Sequence, residues 1–509
     1  MSNFENRVQK DLVTESVFTE SHEEFILPDY MPEIGRVLRL SATLLPDEHF
    51  AGSDGVEFSG RVEYRLLYSD GAGETTEAPL EGRYRYRVPN SEKTTLSYTE
   101  ERIESIGARP SAPRKLSIRT RICARPHLLY EEAVGASLTE MLGDVPAETI
   151  LKESALLTRS VCSSGLLHKE ERFTVEGCSP EALTLISLQG ALLPEAVEAH
   201  DGYLSVRGKL VFTLLLKKAE ETPFVKLCTL PFEEEITAED ARIGDGVSMR
   251  AFCGAPAVTL ASEGEDTAIL FDAEYSLLCV LCRNRPFSYL DDLYAHGARH
   301  EILRKPFSAE SLVGTASGNF TVGEEVSLPA DFKSGGTLLP QFSLKEAEAT
   351  HLGERVILEG KLGVLLLSFE GTESDRCEST LPFRVELPLG KEGKVGDSIS
   401  FTVVPVYGSA QKTGEGVRLS LELAASVSVL RPIALSLPES ALFLGEAEAP
   451  DATAITLYYP KDGDSLWSVG KRYGVPLSVL KEKNGIPDDE NAALTKSLDG
   501  YAYLFVGGL

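Results

Sequence analysis

The residues that could do chemistry are few and scattered. Cys279-Val280-Leu281-Cys282 has the spacing of half a zinc site or of a redox pair. No second CxxC pair completes a set, and the pair sits in an apolar run that reads as a strand. Residues three apart on a strand point to opposite faces, so the two thiols are expected to part company. His296 and His300 are spaced so that a helix would put both on one face. Gly297 stands where a metalloprotease would carry its glutamate, and the glycine and charged neighbours mark a connection instead. Gly202 to Lys209 has one residue too many for a phosphate loop and Leu210 in place of Ser or Thr. Gly390-Lys391-Glu392-Gly393-Lys394 also lacks the motif. Glu233, Glu234 and Glu235 form a run that reads as solvated. No Ser/His/Asp constellation can be picked out. The reading is of a non-enzyme, with no catalytic residue, no metal ligand and no cofactor.

One strip has a surface meaning. Arg83-Tyr84-Arg85-Tyr86-Arg87 alternates strictly, so a strand would put three guanidinium groups on one face and two tyrosines on the other. The expected role is a soluble outer face over an aromatic core contact. Docking of an acidic partner is the alternative.

The elements that position these residues follow period two. Val56 to Leu67, Leu204 to Leu215 and Val356 to Leu367 share one pattern. Apolar alternation leads to a glycine and a basic residue, then to a nearly continuous apolar run. Gly60, Gly208 and Gly360 are about 150 residues apart, the size of one domain. Flanking segments recur in the same order. Leu230-Pro231-Phe232-Glu233 answers Leu381-Pro382-Phe383-Arg384, and Arg114 to Leu128, Thr267 to Leu281 and Val417 to Leu430 each close a copy. Turn clusters such as Ser69-Asp70-Gly71 separate the strands. The fold expected is mainly β: three tandem β-sandwich-like repeats followed by a small α+β (βααβ) domain. The limits are 1–135, 136–290, 291–446 and 453–509, with a linker near Ala447 to Ala452. The glycine shared by the copies suggests a bulge or a close approach of two backbones. Short helical pieces are expected at Met31 to Leu40 and Leu138 to Met141.

Bulk properties exclude some partners. The 509 residues are 42% hydrophobic and 25% charged, with a net charge of −28. Such acidity opposes phosphate neutralisation, so nucleic acid is not an expected partner, and it opposes adhesion to anionic lipid. No run approaches the length of a membrane helix, and the start of the chain has no signal-peptide core. The expected compartment is the cytosol, where the eight cysteines serve as small buried hydrophobes.

The C-terminal segment has a different rhythm. Thr456 to Tyr459 reads as a strand and Gly463 as a turn. Asp464 or Ser465 can cap a helix in which Leu466, Trp467, Val469 and Tyr473 form one apolar face. Gly474 ends it. Pro476 opens a second helix with Leu477, Val479 and Leu480 inward, and Asn484-Gly485 stops it. Tyr501 to Val506 is a final strand. Trp467, the only tryptophan, is read as a core anchor.

This segment resembles a LysM module, a family that binds N-acetylated glycans or, in some members, a protein. The resemblance implies a ligand between two loops, here Gly463, Asp464, Ser465 and Leu466, and Asn484, Gly485 and Ile486. It departs at Asp488 to Asp499, longer than the usual link, and at Phe505-Val506-Gly507, which replaces an Ile-Pro ending. Ile26 to Arg39 looks like the opening of a SPOCS domain, a β-rich unit of spore-associated proteins. Tandem SPOCS-type units before one LysM module resemble the SipL family of spore morphogenetic proteins. That resemblance implies a scaffold of the spore coat at the forespore surface in the mother-cell cytoplasm. Its implied partner is the coat-basement ATPase or another coat protein. Binding of peptidoglycan through the module is the alternative.

Overall fold

In the computed structural model, residues 6–507 are described apart from 14–15, 48, 53, 90–93, 136, 220, 415, 448–454, 488–496 and 499. Three stretches of the chain build the same arrangement. The first uses Asn6–Val13 with Val17–Ile26, then a meander of Arg36–Pro46, Gly55–Ser69 and Thr75–Pro89, then Leu96–Ala112 and Lys115–Val134. The second uses Ala147–Val175, the meander Leu183–His200, Tyr203–Lys218 and Phe224–Thr237, then Gly246–Cys253 with Ala257–Glu263, and Asp266–Ala295. The third uses Ala298–Ser327, the meander Thr337–Leu352, Arg355–Glu370 and Glu373–Pro388, then Ser398–Lys412 and Gly416–Glu446. In each, the last strand lies between the first strand and the penultimate one, and the meander forms a second sheet. Pairing the first strand with the last closes every copy on itself. The limit expected at 290/291 falls inside the strand Asp266–Ala295; the turn at His296 and Gly297 leads into the next copy.

Each pair of sheets encloses its own core. Leu204, Val206, Leu210 and Phe212 of one meander pack on Ile269, Phe271, Tyr275 and Leu277 of the facing sheet. The other two copies repeat this with Val56 to Leu66 against Leu116 to Leu128, and Val356 to Leu366 against Val417 to Val429.

The continuous apolar runs now have a cause. The middle meander strand is buried on its second face as well. Leu67, Leu215 and Leu367, which occupy the same register in the three copies, meet in one cluster with Leu38, Ile186, Leu339 and Phe369. Further along, Val8, Leu156 and Phe307 meet Val134, Phe287 and Leu437. Equivalent residues thus converge on a common axis, and the copies surround it. A strand covered on both faces must be apolar at successive positions, as these are.

The repeated glycine is a point of close approach. Tyr84, Phe232 and Phe383 lie directly across the ladder from Gly60, Gly208 and Gly360. A Cβ on Gly208 would sit 2.6 Å from the Leu193 carbonyl oxygen and 2.8 Å from the Phe232 ring. On Gly360 it would sit 2.1 Å from the Glu346 oxygen. Register shifts at Pro194/Ala196 and Leu344/Glu346 show the bulges beside these two glycines. Gly208→Ala and Gly360→Ala are expected to lose about 1–3 kcal/mol each through overpacking, measured by urea melts.

Helix α1 covers Leu138–Leu142, as expected, with a capping box between Ser137 and Glu140. The helix expected at Met31 to Leu40 does not form. Ile34 and Gly35 donate their N–H groups to Pro113 and Ser69 instead of to a helical turn, and Arg36 begins a strand. Neighbouring strands take the bonds a helix would need.

Candidate functional site

The C-terminal module is built as its local signals direct. Thr456–Tyr458 pairs antiparallel with Leu504–Gly507, around α2 (Leu466–Tyr473) and α3 (Leu477–Lys483). Ser465 caps α2 in a reciprocal box with Ser468, whose N–H donates to Ser465 Oγ at 3.2 Å. Gly474 ends α2 in the left-handed region, φ 63°, where glycine carries no Cβ penalty. Leu466, Trp467, Val469, Leu477, Leu480, Leu498, Leu504 and Val506 form the core.

That core is completed by the body. Tyr294, on the strand Asp266–Ala295, is 3% exposed and belongs to the same cluster, with Ile150 packed against it. Its ring meets Trp467 edge-on at 4.9 Å, and its hydroxyl donates to the Val475 carbonyl at 2.8 Å. Asp292, two residues earlier on the same strand, accepts from the Trp467 indole N–H at 2.8 Å and from the Lys471 ammonium at 2.6 and 2.7 Å. Burial pushes this carboxyl up, but Lys471 and Trp467 outweigh it and hold it below the ordinary aspartate value. Pro476 offers α3 no side-chain cap, so Glu148 Oε1 accepts from Leu477 N at 3.1 Å. Gly470 and Gly474 let the surfaces close. A Cβ on Gly470 would meet the Tyr294 hydroxyl at 2.5 Å, and one on Gly474 would meet Gly297 N at 2.8 Å.

The expected loop residues divide into two groups. Gly463 and Gly485 are exposed. The others hold the module together. Leu466 is 2% exposed and lies in the core. Ser465 is engaged in the cap, and Asp464 Oδ2 accepts from the Tyr458 hydroxyl at 2.6 Å and from Lys461 N at 2.7 Å. The Tyr458 hydrogen bond and the Lys461 N–H hold that carboxyl below its ordinary value. Asn484 donates to the Leu480 and Phe505 carbonyls and accepts from Phe505 N, and Ile486 packs on the core. Each loop is thus tied to the C-terminal return of the chain. Ser497 bridges to Ser465, Leu498 N donates to Asp464 O, and Phe505 is clamped by Asn484. The longer link lies mostly outside the described residues; at Ser497 and Leu498 it comes back onto the first loop.

Residues 461–490 match the LysM domain family. No curated protein and no solved structure matches the chain significantly. The matched stretch includes the LysM module's two helices and both candidate loops. The final strand and the body residues that seat the module lie beyond it.

The other candidate residues are placed apart. Cys279 lies in the second sandwich core and Cys282 in an axial cluster with Leu129 and Leu430, on opposite faces of one strand. His296 sits in the turn, 3.2 Å from Glu148 Oε1, while His300 packs on the Phe443 ring. Among the described residues, no group of three or more His, Cys, Asp or Glu could hold a metal, and no helix is long and apolar enough to cross a membrane. Tyr84 and Tyr86 are buried with both hydroxyls donating to Glu101, and Arg83, Arg85 and Arg87 face outward.

The sequence reading missed Asp292, Tyr294 and Glu148. Asp291-Asp292 reads as one more surface pair among many carboxylates. Its partner lies 179 residues away in sequence. The only local hint was an aspartate in alternation with Tyr294 at the end of a strand.

Proposed function

We propose that this chain is a non-enzymatic adhesion scaffold whose LysM module binds glycan of the peptidoglycan type, rich in N-acetylated sugars. The match over residues 461–490 carries the reading. The exposed positions Gly463 and Gly485, one on each candidate loop, support it. The seat on Tyr294 and Asp292 makes module and body a single unit, so any surface on the repeats acts at a fixed distance and orientation from the module. Sedimentation with purified peptidoglycan tests this. The full chain should pellet with the polymer, and an excess of soluble N-acetylglucosamine oligomer should return it to the supernatant. A chain that stays in solution with the polymer would overturn the reading.

A second reading is favoured by a different surface. Ile455, Leu457, Tyr459 and Tyr503 are exposed on and beside the module's small sheet, which suits a protein partner better than a polar polymer. Three repeats ahead of one LysM module also keep the domain order of SipL-type spore scaffolds, with SPOCS-like units forming the body. In that reading the chain works in the mother-cell cytoplasm at the forespore surface, and the module docks on the coat-basement ATPase. Imaging a tagged copy during sporulation separates the two. A shell around the forespore supports this reading, and diffuse signal counts against it.

A further inference from the structure

The layers along the common axis change character abruptly. Leu67, Leu215 and Leu367 form a dry plug with their neighbours. Two residues back on the same strands stand Arg65, Thr213 and Leu365, and across the ladder from these stand Ser41, Gln189 and Gln341. The same register position in each of the three copies therefore carries a hydrogen-bonding side chain. All three of these line one chamber of about 250 Å³, together with Arg65, Thr213 and Tyr407. Thr43 is exposed at its margin.

The charges in this chamber are already engaged. Arg65 Nη1 lies 3.7 Å from Glu77 Oε1, and Glu63 Oε2 accepts from Ala255 N at 2.9 Å. A free anion would face Glu63, and a free cation would face Arg65. What remains is uncharged: two carboxamides, the hydroxyls of Ser41 and Thr213, and the Tyr407 phenol. Each hydroxyl both donates and accepts, and each carboxamide offers both on separate atoms. These half-buried polar groups line a partly open hollow, where water or a ligand satisfies them. The adjoining layer shows that the same strands can fill this axis with leucine.

We propose that the axial chamber is a binding site for a small neutral polyhydroxylated ligand of monosaccharide size. A polyol presents alternating donors and acceptors without net charge, as the lining does. The volume of about 250 Å³ lies just under the range of drug-sized pockets, about 300–1,000 Å³, a size that suits one sugar ring.

Calorimetric titration of the full chain with glucose, which lacks the N-acetyl group of the sugars proposed for the LysM module, tests the proposal. Glucose should bind saturably at one site. The Gln189→Ala/Gln341→Ala double variant should bind about tenfold more weakly or worse while its thermal midpoint stays unchanged. Thr213→Phe, which fills the chamber, should abolish binding. Absence of binding by the native chain, or unchanged affinity in the double variant, overturns the proposal. Pelleting with insoluble peptidoglycan through the LysM module should be the same for the native chain and for Thr213→Phe, so it reads the module separately from the chamber. The two claims therefore fail separately.

Discussion

Replacing Asp292 with alanine should release the LysM module from its seat while leaving the three sandwiches folded. Asp292 satisfies a buried indole N–H and an ammonium at once. Its removal leaves the Trp467 N–H without a partner in a largely buried place, which costs about 1–3 kcal/mol. The half-exposed Lys471 adds less, because solvent screens it. The total is about 2–3 kcal/mol. Trp467 is the only tryptophan, so its emission reports this contact without labelling. The expected result is a red-shifted emission in Asp292→Ala, or a separate early transition in urea, ahead of the main unfolding of the body. Asp292→Asn keeps an acceptor for the indole and should show a smaller change. Native-like emission and a single coincident transition in Asp292→Ala would show that the apolar contacts with Tyr294 suffice.

The pH dependence follows from the same pair. The folded carboxyl titrates below its ordinary value of 3.8. A depressed carboxylate contributes its stability above the unfolded value and loses it as pH falls through the folded one. Docking should therefore be constant from neutral pH down to about 5, and weaken only below about 4. A loss of the Trp467 signal already at pH 6 would point to another group.

What could be read from the chain depended on how local its cause was. Period-two alternation, the glycine-basic pair and the turn clusters are local, and they gave a mainly β body with three copies of one unit. The cap at Ser465, the stop at Gly474 and the apolar face of α2 are also local, and each formed. The helix expected near Met31 failed because Ile34 bonds to the turn at Pro113 and Gly35 to the strand end at Ser69, both far along the sequence. The candidate loops were legible only as positions. Leu466 and Asn484 turned out to hold the module together, because a short segment cannot show which of its polar groups will find backbone partners. The seat of the module was not legible at all. Neither was the axial convergence, although its sign was present: a strand apolar at successive positions needs two covered faces, and a lone sandwich covers one.

Glu77→Val should destabilise the body by about 3–5 kcal/mol, because it strands a fully buried guanidinium. Arg39 and Glu77 are 0% and 5% exposed, with Arg39 Nη2 donating to Glu77 Oε2 at 2.7 Å. Ser187 joins them from the second copy, accepting from Arg39 and donating to Glu77. Leu188 N also donates to Glu77, so this network crosses from copy to copy. Burial pulls the arginine down from its usual value, and Glu77 opposes that pull. Each of the other copies carries an apolar residue at one of the two positions, 2% exposed at Leu339 and 38% exposed at Val225. The register position of Arg39 is Leu339 in the third copy, and that of Glu77 is Val225 in the second. Arg39→Leu combined with Glu77→Val therefore rebuilds pieces the chain already uses, and it should recover most of the loss in urea melts. If the single Glu77→Val variant melts with the native chain, the buried pair is not coupled as described. If the double variant is no better than the single, the cost lies in the lost bonds to Ser187 and Leu188. Recovery in the double variant would leave the pair a different role. Three near-equivalent copies can pack in the wrong order, and a buried ion pair of the first copy that bonds to Ser187 and Leu188 of the second penalises that mistake. The expected signature is a double variant with near-native stability but slower refolding.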